Sequence, residues 1–401
     1  MSTAAPRRLR RRTGAPGAVV IGGDYQGLGI VRSLGRRGVD VIVLDDELSV
    51  SRVSRFTSAH ARALDLRTDR GTVSALNELA DRHDLDGWVV FPTREETVAA
   101  LSRHRDELLT RYRVPTARWE VIRWAWDKRN TYTRAAELGI PAPRTWTLHA
   151  LDEVEAVDGE PPFVIKPAIK EHFIYATKAK AWRADTRAQL TLRVREAMGL
   201  VGTGEVLVQE LIPGTGEDQL AYCAFFRDGQ AVARMAARRL RQHPPEFGRA
   251  STYVQTIADR SLDEPSERFL RSIGYYGLVE LEYKHDRRDG QTKLLDVNAR
   301  TWGYHSLGQR AGVDFPFLLY ADQVGFPGPD VALAAPGISW IRLVTDIPTA
   351  AVELARGHLD FRGYMRTLRR FDIESVFSRE DPLPGLAELF LLPYSALTRG
   401  F

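Results

Sequence analysis

The stretch Gly277–Gly303, GLVELEYKHDRRDGQTKLLDVNARTWG, constrains this chain more than any other. Two alternating runs flank Asp286-Arg287-Arg288-Asp289-Gly290, a turn with glycine near its end, where a left-handed residue is usually needed. The pattern predicts a β-hairpin. Centring the turn on Asp289 sets Glu282 opposite Asp296 and Glu280 opposite Asn298. The same register stacks Val279, Leu281 and Tyr283 with Leu295, Val297 and Ala299 on the other face. One face is then apolar, and the other gathers three carboxylates, an amide and Arg300. Like charges directly opposed across strands are destabilising, so this face calls for a cation or for proton sharing. A few oxygen ligands suit Mg²⁺, which keeps waters and also binds substrate phosphates. A solvated hairpin face is the plainer alternative.

A chain of 401 residues exceeds a single core and predicts two or three domains. No apolar run approaches the ~20 residues a membrane span requires. The lone cysteine, Cys223, excludes an internal disulfide framework and a cysteine-based metal site, and fits a reducing cytoplasm. The net charge of +4 is unevenly placed. Without Arg7, Arg8, Arg10, Arg11 and Arg12 the rest would carry one net negative charge. The basicity therefore belongs to an arm, expected to be disordered, and a nucleic-acid partner is not expected, nor a membrane.

Gly17–Asp46 reads as strand, glycine-rich turn, helix and strand, a βαβ unit with parallel strands. Asp45 at the end of the second strand raises a dinucleotide site, but Gly22, Gly23, Gly27 and Gly29 do not follow G-x-G-x-x-G. Trp88–Pro92 is another buried strand, and Glu95 and Glu96 after it make an acidic helix start that suits the helix dipole. Asp127–Leu138 is a helix with Lys128 in its first turn, ending at Gly139. In Pro162–Pro167 (PFVIKP), Lys166 closes an apolar strand, where a buried charge needs an anionic partner. A hairpin around Arg227–Gln230 delivers Arg238, Arg239 and Arg241, either a solvated edge or an anion site. No P-loop signature G-x-x-x-x-G-K-[ST] is present.

In order and spacing, these parts resemble the ATP-grasp superfamily over about residues 20–325. The run Asp296-Val297-Asn298-Ala299-Arg300 matches its Glu-x-Asn-x-Arg metal motif, with aspartate where glutamate is usual. The resemblance implies an α/β and α+β fold: a basic arm over 1–15, an open α/β domain over 16–115, an N-terminal lobe over 116–205 and a C-terminal lobe with the metal site over 206–325. Residues 326–401 would be an appended packing layer. It implies ATP and Mg²⁺ (or Mn²⁺), with Glu282, Asp296 and Asn298 as metal ligands and Arg300 as the catalytic cation. Lys128 and Lys166 would reach the phosphates, joined by Arg239 and Arg241. Glu210, Leu211 and Ile212 would hold the adenine, and Glu217 the ribose. Residues 168–181 contain no glycine, so side chains such as Lys178 or Lys180 would replace backbone amides as the phosphate flap. Gly23, Arg238 and His305 are substrate-contact candidates, His305 equally a helix-cap or packing residue. A looser likeness to D-aspartate ligases and carboxylate–amine ligases implies an ADP-forming reaction through an acyl-phosphate, with an amino-acid-like carboxylate and an amine as partners. Phosphorylation of an enol or alcohol, and nucleotide binding without turnover, are the alternatives, and a homodimer is left open.

Overall fold

The computed structural model describes residues 14–169, 173, 177, 179–201 and 205–399, with side chains to residue 394. Residues 1–13, which hold all five arginines of the basic arm, and Lys178 lie outside that set.

The first region is a parallel sheet of β1 (Ala18–Ile21), β2 (Val41–Asp45), β3 (Ala59–Arg62), β4 (Trp88–Pro92) and β5 (Tyr112–Arg113), in the order β3-β2-β1-β4-β5. Strands β1, β2 and β4 read AVVI, VIVLD and WVVFP and are buried along their whole length, as parallel strands covered on both faces must be. Asp24 caps the helix Tyr25–Gly35 after β1, its side chain accepting from the amides of Gln26 and Gly27. The helix Lys128–Glu137 is capped by Asp127 in the same way.

A second sheet pairs β6 (Thr145–Leu148), β7 (Phe163–Pro167), β8 (Trp182–Ala184) and β9 (Val206–Glu210) in the order β6-β9-β7-β8, all antiparallel. Strand β9 was expected in the C-terminal lobe; its pairing with β6 and β7 instead makes it an inner strand of the preceding lobe.

The third sheet has eight strands: β10 (Gln219–Arg227), β11 (Gln230–His243), β12 (Ala250–Ile257), β13 (Gly277–Asp286), β14 (Gln291–Asn298), β15 (Ala332–Leu333), β16 (Ser339–Ile341) and β17 (Ile373–Glu374). Its order is β14-β13-β10-β11-β12-β16-β17, with β15 on β11. Glu282 faces Asp296 and Glu280 faces Asn298, the register that the alternation predicts. A bulge after Glu282 then pairs Tyr283 with Leu294 and not with Leu295. Leu294 is fully buried, and the displaced Leu295 turns its carbonyl to the Tyr132 hydroxyl, 2.7 Å away.

Residues 326–401 are not an outer layer, because β15, β16 and β17 continue this sheet. Beyond them, Asp381 anchors the chain to the first region: it accepts from Arg32 Nε at 3.0 Å, Ser54 Oγ at 2.7 Å and the Arg55 amide at 3.0 Å. One core joins the first region to the third sheet, packing Val20, Ile30 and Phe91 with Ala221, Cys223 and Met235 and with Trp340. Ala221 pairs with Glu282 and Cys223 with Glu280. The acid-bearing face of the hairpin is therefore the face turned to the first region.

Candidate functional site

Glu280, Asp296 and Asn298 are buried, which removes the reading of a solvated hairpin face. Their repulsion is relieved by cations from three directions. Lys128 Nζ, in the first turn of its capped helix, donates to Asp296 Oδ1 at 2.6 Å. Arg239 Nη1, one strand beyond β10, donates to Glu282 Oε2 at 2.5 Å. Lys180 Nζ, just before β8, stands 3.5 Å from Glu282 Oε2 and 3.8 Å from Asp296 Oδ2. The Asn298 amide donates Nδ2 to Glu280 Oε2 at 3.2 Å and to Glu282 Oε1 at 3.0 Å, so its Oδ1 is the atom left to face a cation. Glu280 also accepts from the Tyr304 hydroxyl at 2.5 Å. Burial, and after it the charge of Glu282, pushes the Glu280 carboxyl up to about 7, so proton sharing contributes alongside the cations.

Among the described residues, no three His, Cys, Asp or Glu side chains gather as a closed metal cage. Two opposed carboxylates and an amide oxygen form a half-shell of hard ligands. That donor set fits Mg²⁺, which keeps waters and takes further oxygens from phosphates.

Lys166 Nζ, at the end of β7, donates to the Tyr132 hydroxyl at 2.6 Å. Tyr132 passes that contact to the Leu295 carbonyl, so the bulge in the hairpin and the strand lysine are one network. Burial, then the neighbouring Lys128, lowers the Lys166 ammonium to about 7. Glu210 ends β9 and accepts from Lys293 Nζ and from Arg288 Nη2, each at 3.1 Å, which fastens the turn end of the hairpin to the linker. Leu211 donates its amide to the Pro162 carbonyl, Ile212 is buried, and Glu217 is exposed on the short helix Gly216–Asp218.

Several expected contacts are used otherwise. Arg241 is held by both oxygens of the buried Asp346, at 2.9 and 3.0 Å, with its guanidinium over Tyr253 and Tyr364. A bulge at Leu240 separates it from Arg239, which alone of the pair reaches Glu282. Arg238 pairs with Leu220, on the face of the sheet opposite Arg239. His305 packs against Gly29, and its Nε2 lies 2.9 Å from the Gln26 carbonyl, the packing arrangement that was one of its two expected uses. Gly23 donates its amide to Asp45 at 2.7 Å, and a Cβ there would meet Ser49 Oγ at 2.4 Å. Its glycine serves close packing. Asp45 also pairs with Arg94 at 2.9 Å, so the acid that raised a dinucleotide site is committed inside the protein.

Four contributors escaped the sequence reading: Tyr132, Tyr304, Gln26 and Glu95. Glu95 Oε1 lies 2.7 Å from Arg300 Nε. The adjacent acids at positions 95 and 96, directly after a buried strand, were a signal, but the helix dipole already accounted for them.

No protein-family model matches the chain. In sequence it is 24% identical over 213 residues to D-aspartate ligase of Enterococcus faecium (strain Aus0004), across 50% of each protein, so the chain spans about half the length of that relative. In structure it is similar to L-amino acid ligase from Bacillus licheniformis, with a TM-score of 0.58 and 15% identity over 78% of this chain and 75% of that one. A carboxyaminoimidazole ribonucleotide synthase from Aspergillus clavatus complexed with ATP gives a TM-score of 0.62 and 15% identity over 85% of this chain and 87% of the other. An N5-carboxyaminoimidazole synthetase from Staphylococcus aureus complexed with ADP gives 0.60 and 16% over 82% of each.

Proposed function

We propose that this chain, which has the ATP-grasp fold, is an ATP-dependent carboxylate–amine ligase that works through an acyl-phosphate and releases ADP and phosphate. The observation that carries this reading is the cross-strand pair Glu282–Asp296, buried beside Asn298 and met by Lys128, Lys180 and Arg239. A half-shell of acids inside a ring of lysines and arginines is what a nucleotide triphosphate with its metal requires. The sequence likeness to D-aspartate ligase supports an amino-acid-like carboxylate and an amine as the substrates.

Bound at Glu282, Asp296 and Asn298, Mg²⁺ would neutralise charge on the β- and γ-phosphoryl oxygens. Glu210, Leu211 and Ile212 hold the adenine, and Glu217 is set to accept from the ribose hydroxyls. Lys128, Lys166 and Arg239 fix the phosphates. A substrate carboxylate oxygen attacks the γ-phosphorus; that O–P bond forms as the γ-P–O bond to ADP breaks. Arg300 stabilises the charge on the transferring group. The amine then attacks the acyl carbon, loses a proton, and phosphate leaves. Water must be excluded while the acyl-phosphate lasts, and burial of the acid face against the first region serves that end. The single buried thiol of Cys223 is in keeping with a reducing, cytoplasmic setting.

The test is a screen of carboxylate and amine pairs for ATP-dependent phosphate release. The productive carboxylate should yield ADP, and hydroxylamine in place of the amine should trap an acyl hydroxamate. Release of AMP and pyrophosphate would overturn the mechanism.

A further inference from the structure

The chain leaving β14 is gripped by the first region immediately after the metal-ligand strand. Arg300 Nε lies 2.7 Å from Glu95 Oε1, with both side chains 14% exposed, and Arg300 Nη1 donates to the Thr301 carbonyl at 3.0 Å. Gln26 Nε2 donates both to that same carbonyl and to the Thr93 carbonyl, two residues before Glu95. Two glycines allow the approach: a Cβ at Gly303 would meet the Tyr25 hydroxyl at 2.6 Å, and one at Gly29 would meet His305 at 2.6 Å. Helix Glu95–Arg103 starts at Glu95 itself, so its carboxylate is carried on a rigid element.

We infer that Glu95, contributed by the first region, is a positioning residue for Arg300: it sets the plane of the guanidinium that meets the transferring phosphoryl group. The inference rests on the functional reading above. A guanidinium is rigid and planar, and it is held here from two sides, by the charge of Glu95 at 2.7 Å from Nε and by the Thr301 carbonyl that accepts from Nη1. Without that anchor Arg300 would turn toward Glu280 and Glu282, the other carboxylates that act on its charge, and withdraw from substrate. Glu95 also lines the same small cavity as Lys128, Asp296 and Asn298, which ties the anchor to the metal half-shell. Phosphoryl transfer thereby depends on the first region being docked, although the nucleotide contacts come from the other two.

The test compares Glu95→Gln and Glu95→Asp with the unmodified protein by kcat, MgATP affinity and side-chain ¹⁵N NMR of the arginines. Loss of orientation without loss of a binding contact should lower kcat about ten- to a hundredfold in Glu95→Gln. MgATP affinity should stay within about twofold, since Glu95 does not touch nucleotide. The Arg300 side-chain ¹⁵N signals should shift and broaden as the group loses the neighbouring charge and gains freedom. Glu95→Asp should recover part of both. In an Arg300→Lys background, Glu95→Gln should add almost nothing to the loss, because the two changes remove one unit. Unchanged kcat, or additive losses in the double variant, would overturn the positioning role. A protein that binds no MgATP would overturn the functional reading before any variant is made, and the role of Glu95 with it.

Discussion

Arg239 and Arg241 sit two residues apart on one strand, and each meets a carboxylate, but the two clusters are built on different plans. At Arg241 the fork meets both oxygens of a fully buried Asp346, two tyrosine rings flank the guanidinium, and Thr252 donates to the same carboxylate at 2.8 Å. Every direction around that carboxylate is used. Arg239 meets Glu282 alone, and that carboxylate and its neighbour Asp296 are shared with two lysines, Lys128 at 2.6 Å from Asp296 and Lys180 at 3.5 and 3.8 Å from the pair. Lysine is a point charge on a flexible stem and can change partners, whereas a bidentate arginine is committed to planar geometry. A closed ion pair holds a fold together; an open cluster of mixed cations holds a place for a ligand.

The widest gap between the clusters should appear on removing one acid from each. Asp296→Asn or Glu282→Gln should lower phosphoryl transfer by about 10³-fold or more, read as ADP release. Asp346→Asn should leave the activity of the folded protein unchanged and cost about 3–5 kcal/mol, seen as a lower melting temperature, because it takes the fully buried charge of the pair away from a half-buried Arg241. If Asp346→Asn reduced turnover as severely, the distinction would collapse. Asp296→Asn should also lower the stability of the ligand-free protein somewhat, since Lys128 then loses the charge 2.6 Å from its ammonium.

A second contrast sharpens what the lysines do. Lys128 occupies Asp296 Oδ1 at 2.6 Å, so it competes with a divalent cation in the ligand-free protein. Lys128→Met should bind Mn²⁺ without nucleotide about tenfold more tightly, measured by electron paramagnetic resonance, while its MgATP affinity falls. Equal Mn²⁺ affinities would mean that ammonium and metal do not compete.

Lys166 offers a smaller effect, dependent on pH. Its folded value of about 7 lies below the ordinary 10.5, so between these values the unfolded chain binds more protons and stability rises with pH. Lys166→Met should therefore melt higher than the unmodified protein near pH 7, by about 1–2 kcal/mol, and the gain should vanish towards pH 10. A gain that grew with pH would have the wrong sign. The smallest change is expected at Arg238, on the opposite face of the sheet: Arg238→Gln should alter kcat by less than about twofold and stability by about 0.5 kcal/mol or less.

The hairpin was legible because strand alternation and charge repulsion agree on one register around Glu282 and Asp296. Its bulge was not, since Leu294 and Leu295 are alike and no pattern says which one the ladder skips. Lys166 was legible as a charge at the end of an apolar run. Arg238, Arg239 and Arg241 were not separable: a bulge at Leu240 decides which of them faces the acids, and bulges leave no periodic trace. Strands of two or three residues, such as β15 and β17, are too short to show alternation at all. Glu95 and Gln26 act on a segment that lies 205 and 275 positions further along the chain, a distance local pattern cannot bridge.

The strands that residues 332–374 add to the large sheet bear on how this protein can be handled. Strand β12 would be a naked edge without β16 and its flanks, leaving the outward amides and carbonyls of alternate residues, Thr252 and Thr256 among them, open to any other chain. A fragment ending near residue 325, where the proposed nucleotide site is complete, would carry that edge together with the uncovered Val254. Such a fragment is expected to pair with itself and precipitate. The last fifth or so of the chain is thus the selvedge of the sheet, and trimming it would fray the fabric into which the acids are woven.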